Sequence, residues 1–165
     1  MLKRQINSSE VIATLIQNLL ENNKLLASKL GDWTDEDVPV ESYLREDCCL
    51  NVFIVFLAIV ESRLSEREKK LLLTQFENQV IGLMESGRLD KKFYHDIQQY
   101  HDALDEPLPP HLDRSWNVGL AFARHCGAEK EIAYVAPAAA SFGKSLQATI
   151  ELLDSTSKSY RILEG

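Results

Sequence analysis

An apolar segment in the first half of the chain, residues 48–60, constrains the fold most. It reads CCLNVFIVFLAIV, and Asn51 is the one polar side chain among its thirteen residues. Charged segments flank it on both sides, ESYLRED before and ESRLSEREKK after. A membrane-spanning helix needs roughly 20 predominantly apolar residues, so this segment is too short to cross a bilayer. A helix that is apolar on all sides is instead buried among other helices. We therefore predict an all-α protein with a central apolar helix over about residues 39–62.

Length, composition and charge limit the class of protein further. A chain of 165 residues with 45% apolar and 26% charged residues fits one globular domain, here residues 1–165. The net charge of −7 argues against a general nucleic-acid binder and against docking on anionic lipid. It is compatible with a basic protein partner.

The cysteines and the first residues bear on the location. Cys48, Cys49 and Cys126 are odd in number and lack the spacing of a disulfide framework, which favours a reducing compartment. MLKRQINSSEV has no apolar stretch after its basic residues, so we expect no signal peptide and a cytoplasmic location.

Helical spacing and capping signals divide the chain into five to seven helices, which we expect to form a bundle. Asn7 and Glu10 form a capping-box pattern for the first helix, and Ser65 and Glu68 form another for the third. The expected helices run from about Asn7 to Leu30, 39–62, Glu66–Ser86, from Asp90 to Leu104, His111–Cys126 and Lys144–Leu153.

The sequence leaves two boundaries open. Residues 39–86 could form one continuous helix without a break near Leu64. Residues 131–136 could be a helix, or a short strand that is followed by a turn of small residues. Residues 155–165 are expected to be a frayed tail.

A phosphate-binding loop is the sharpest motif to consider. Residues 138–145, AAASFGKS, match a relaxed form of it, in which Gly143, Lys144 and Ser145 would contact a nucleotide and its magnesium. Such a loop follows a strand of a parallel sheet, and no other part of the chain reads as a parallel strand. Phe142 also makes the loop bulky. We keep binding of a nucleotide or small phosphorylated ligand through this loop as the alternative function.

Metal and catalytic signatures are missing along single helices. The four histidines, His95, His101, His111 and His125, form no pair at a spacing of three or four residues, so we predict no metal site and no cofactor. Adjacent Cys48 and Cys49 are expected to be core residues and not a redox pair. No catalytic constellation can be assembled, which leans towards a protein that is not an enzyme without settling the question.

Two acidic loops look like contact surfaces. The first, DWTDEDVP, contains Trp33, Asp35, Glu36 and Asp37, and the second, DEPLPPHLDR, begins with Asp105 and Glu106. An aromatic anchor beside carboxylates suits a basic partner, although both loops could also be solvated connectors. The leading hypothesis is a non-enzymatic helical protein that binds another macromolecule, such as a regulator, adaptor or inhibitor or immunity-type protein. The sequence leaves the partner and the oligomeric state unknown.

Overall fold

The computed structural model describes residues 3–30, 39–128 and 131–165. This part of the chain forms six helices and one two-stranded parallel sheet, which confirms the predicted all-α bundle. In chain order the elements are β1 (Arg4–Asn7), α1 (Ser8–Leu30), α2 (Val40–Glu61), α3 (Glu66–Glu85), α4 (Phe93–Leu104), α5 (Arg114–His125), α6 (Ile132–Ser159) and β2 (Tyr160–Leu163).

The central position of α2 follows from its composition. This helix contacts each of the other five described helices, because it is apolar on nearly every side. Phe53 and Ile54 are fully buried, and burial extends through Ile59. Val60, by contrast, is 43% exposed at the end of the helix. The apolar segment is therefore the core of the bundle, as predicted.

The break between α2 and α3 is set by local capping. Ser65 Oγ accepts a hydrogen bond from Glu68 N, and Glu68 Oε2 accepts one from Ser65 N at 3.0 Å. This reciprocal arrangement satisfies two amides that no helical carbonyl can reach. It resolves the first open boundary in favour of two separate helices.

Helix α6 differs from its prediction. Residues 132–159 form one continuous helix with Pro137 inside it, so residues 131–136 contain no strand. Gly143, Lys144 and Ser145 lie in the middle of this helix. The loop considered as an alternative at residues 138–145 does not form, because this segment is helical and its backbone amides are engaged in the helix.

The C-terminal residues also differ from the prediction of a frayed tail at 155–165. Residues 155–159 complete α6, and β2 pairs in parallel with β1, with Ile6 opposite Ile162. Ile162 is buried, which gives the tail an apolar anchor in the core. The pairing brings the two ends of the chain together.

Among the described residues, no helix is both long and apolar enough to span a membrane.

Candidate metal centre

Three ionisable side chains from different helices converge inside the bundle. They are Glu46 of α2, Asp96 of α4 and His125, the last residue of α5. One potential ligand atom from each lies within 4.8 Å of the others. Glu46 is 0% exposed, Asp96 is 1% exposed, and the His125 side chain is 4% exposed. We call Glu46, Asp96 and His125 the acid–histidine cluster.

Each member of the cluster occupies a core-facing position of its helix. In α4 the buried positions recur at spacings of three, four and three residues, and Asp96 takes one place in an otherwise apolar series with Phe93, Tyr100 and Ala103. Glu46 precedes Cys49 and Phe53 on the buried side of α2. Helical geometry therefore directs these polar groups inwards, where water does not solvate them.

Hydrogen bonds fix the orientation of two cluster members. Tyr100 Oη donates to Glu46 Oε2 at 3.2 Å, and His125 Nδ1 lies 3.0 Å from the same oxygen. The other ring nitrogen, His125 Nε2, contacts Gln99 Oε1. If that nitrogen donates to Gln99, Nδ1 presents a lone pair to a carboxylate oxygen. Two acceptors in contact need a proton or a metal cation between them.

Two carboxylate oxygens of the cluster make no hydrogen bond among the described residues, Glu46 Oε1 and Asp96 Oδ1. Each oxygen lies near one cationic side chain, but neither contact has the geometry of a hydrogen bond. Arg45 Nη2 is 3.7 Å from Glu46 Oε1, and Lys92 Nζ is 3.2 Å from Asp96 Oδ1. Those cationic side chains are 40% and 50% exposed. A buried charged acceptor without a hydrogen bond destabilises the fold, so these atoms are suited to an additional cationic partner.

The neighbouring thiols and phenol stay protonated at neutral pH. Burial, reinforced by the Glu46 carboxylate, raises the pKa of Cys126 to about 12 and that of Cys49 further. The same two causes hold the pKa of Tyr100 well above its usual value. The groups whose potential ligand atoms converge are the two carboxylates and the imidazole.

Of the predicted contact residues, the structure describes two, Asp105 and Glu106. Trp33, Asp35, Glu36 and Asp37 lie outside the described residues. Asp105 and Glu106 are exposed just after α4, and the backbone carbonyl of Glu106 accepts a hydrogen bond from Asn117 Nδ2 at 2.8 Å. Their role in partner binding stays a prediction.

The sequence does not reveal the acid–histidine cluster, because ligand spacings are recognisable only within a single helix and its three members come from three helices. Glu46 and His125 are 79 residues apart, and no motif links them. One signal was present, however. Asp96 sits between Phe93 and Tyr100 on the apolar face of α4, and a carboxylate at a core position indicates a buried partner.

Comparison with protein-family models, curated proteins and solved structures finds no match to this chain.

Proposed function

We propose that this protein binds one divalent first-row transition metal ion through Glu46, Asp96 and His125, as a structural or regulatory ion in a protein that is not an enzyme. The observation that carries the proposal is that one carboxylate oxygen of Glu46, one of Asp96 and one ring nitrogen of His125 lie within 4.8 Å of one another in the interior of the bundle. In addition, Glu46 Oε1 and Asp96 Oδ1 make no hydrogen bond among the described residues. The proposal rests on the chemistry of these three side chains.

The ligand set indicates the class of ion. Imidazole favours zinc, iron, cobalt and nickel over magnesium and calcium, and carboxylates complete such sites in many proteins. Ligand atoms that share one ion at 2.0–2.2 Å are at most about 4.4 Å apart. Three ligands of one ion cannot all lie opposite one another, and tetrahedral geometry brings them to about 3.4 Å from one another. The cluster atoms, within 4.8 Å of one another, would therefore have to approach by up to about 1.4 Å.

The environment favours a structural or regulatory ion over a catalytic one. Catalytic sites keep a coordination position open to substrate, whereas Glu46 and Asp96 are almost fully buried. The half-exposed side chains of Arg45 and Lys92 can turn to solvent as the ion neutralises the carboxylates. An ion held here would link α2, α4 and α5.

Metal titration of the metal-free protein tests the proposal. We expect Zn²⁺ and Co²⁺ each to bind at one equivalent per chain by calorimetry, with a rise in melting temperature. Excess ion at a hundred times its dissociation constant should add about 2.7 kcal/mol to the free energy of unfolding. Bound Co²⁺ should also show the visible absorption bands of a nitrogen- and oxygen-ligated site.

Conservative variants separate loss of binding from loss of folding. Asp96→Asn and His125→Gln should remove tight binding while circular dichroism shows a folded protein. His101→Ala is the matched control, because His101 is an exposed histidine of α4 outside the cluster. Absence of stoichiometric binding to the wild-type protein, or equal loss in His101→Ala, contradicts the proposed function.

Binding of a basic protein partner stays a second proposal. The exposed carboxylates of Asp105 and Glu106 support it, and the three free, buried cysteines fit a cytoplasmic location. Affinity purification from the native host, repeated with Asp105→Asn and Glu106→Gln combined, tests whether these charges recruit a partner. Capture of the same proteins by the wild type and the double variant would exclude the site.

A further inference from the structure

Gln99 of α4 contacts the cluster from its outer side. Its Oε1 lies against His125 Nε2, and its Nε2 is 2.8 Å from Nε2 of His95. Gln99 is half-buried and lies one helical turn after Asp96. The helix that presents a carboxylate to the cluster therefore also holds the far side of the imidazole ring.

The side-chain amide of Gln99 is able to select the tautomer of His125. When the ring is neutral and Oε1 points towards it, Nε2 of His125 carries the hydrogen and Nδ1 is a lone pair that faces Glu46 Oε2. With the amide reversed, Gln99 would donate to His125 Nε2, and Nδ1 would carry the hydrogen and donate to Glu46. Only the first arrangement leaves Nδ1 able to bind a metal ion.

We infer that Gln99 is the positioning residue that holds His125 in the metal-binding tautomer, an inference that rests on the proposed function. Metal-bound histidines usually donate their second ring N–H to an acceptor, which orients the ring and raises its basicity as a ligand. Gln99 Oε1 is such an acceptor, placed on the nitrogen opposite the cluster. The neighbouring ring of His95 gives the Gln99 amide nitrogen its own partner in this orientation.

Variants of equal length test this role. Gln99→Met removes the acceptor and should raise the dissociation constant for Zn²⁺ by about 10–100-fold. Gln99→Glu can only accept, so it should bind Zn²⁺ at least as tightly as the wild type. The controls are Gln98→Met and Gln98→Glu, because Gln98 Nε2 donates to Asp102 Oδ1 at 2.7 Å on the exposed side of α4. Gln98→Glu adds the same negative charge to the helix as Gln99→Glu, so it measures the effect of charge alone.

A second measurement reports the tautomer directly. Imidazole ¹⁵N shifts of the metal-free protein should show His125 with its hydrogen on Nε2 in the wild type and Gln99→Glu, and a mixture of tautomers in Gln99→Met. A merely structural role for Gln99 would leave these shifts unchanged.

The outcomes are distinguishable from those of the titration above. If the wild type binds Zn²⁺ and Gln99→Met binds it equally well, the role of Gln99 is overturned while the metal site stands. Unchanged ¹⁵N shifts in Gln99→Met overturn it as well. If the wild type binds no metal, the proposed function itself fails, whatever the tautomer of His125.

Discussion

Two glycines in helix interiors have opposite surroundings. Gly119 of α5 lies against α6, where an added Cβ would be 2.5 Å from the carbonyl oxygen of Val135 and 3.0 Å from Cβ of Ala139. Gly82 of α3 is exposed, and a Cβ there would meet no atom within 4 Å. Gly119 thus allows the backbones of α5 and α6 to approach closely, whereas Gly82 only lowers the stability of α3.

The first prediction follows from this contrast. Gly82→Ala should raise the free energy of unfolding by about 0.5–1 kcal/mol, because alanine favours the helix. Gly119→Ala should lower it by about 1–3 kcal/mol, since α6 has to move away from α5. Urea unfolding of both variants measures the difference. Equal effects at the two positions would contradict the close approach of α5 and α6.

At the residue scale, the sequence predicts interactions that are local. The capping box of Ser65 and Glu68 was predicted and is confirmed, because its partners are three residues apart. Tyr100 and Glu46 are 54 residues apart, and their hydrogen bond depends on the packing of α4 against α2. No spacing rule contains that information, which is why the acid–histidine cluster became visible only in three dimensions.

Among the elements, α2 supports both the core and the candidate site. Phe53 stacks on Tyr100 with ring centroids 5.6 Å apart and on Phe142 at 6.2 Å. Tyr100 in turn donates to Glu46. The packing of one aromatic ring of α2 therefore sets the position of a hydrogen-bond donor to the cluster.

The second prediction concerns this aromatic stack. Phe53→Ala should lower the free energy of unfolding by about 3–5 kcal/mol, because it leaves a cavity in the centre of the bundle. Val60→Ala, in the same helix but at a 43% exposed position, should have little effect. Denaturant melts compare the two. Wild-type stability of Phe53→Ala would refute a tightly packed core around α2.

Helix α6 shows where element prediction fails and why. Pro137 predicts a break, because proline lacks the N–H that would bond the carbonyl of Ala133. The structure places Ala133 and Pro137 on the exposed side, where water can satisfy that carbonyl. On the other side a buried series continues without interruption, formed by Tyr134, Val135, Ala138, Ala139, Phe142 and Leu146. Packing of this face against α2 and α5 outweighs the local preference.

For the whole molecule, the parallel pairing of β1 and β2 joins the two ends of the chain. Four residue pairs connect Arg4–Asn7 with Tyr160–Leu163. Neither segment reads as a strand on its own, since each is short and partly polar, and its hydrogen-bond partner lies at the other end of the sequence. The sequence therefore predicted the helices from their periodicity but could not predict this closure.

The third prediction tests whether the closure stabilises the bundle. Ile162 is 3% exposed and packs with the core, whereas Arg161 beside it is exposed on the opposite face of the strand. Ile162→Ala should lower the free energy of unfolding by about 2–5 kcal/mol, and Arg161→Ala should leave it nearly unchanged. Urea unfolding of the two full-length variants measures both values.

Hydrogen exchange locates the effect that the melts detect. Because β2 follows α6 directly and pairs with the strand that leads into α1, loss of the Ile162 anchor should speed exchange at the strand amides and at the last turn of α6. The amides of α2 should then keep their protection until global unfolding. If Ile162→Ala unfolds like the wild type and the strand amides exchange as fast in both proteins, the terminal sheet contributes nothing to stability, and the helices alone hold the fold together.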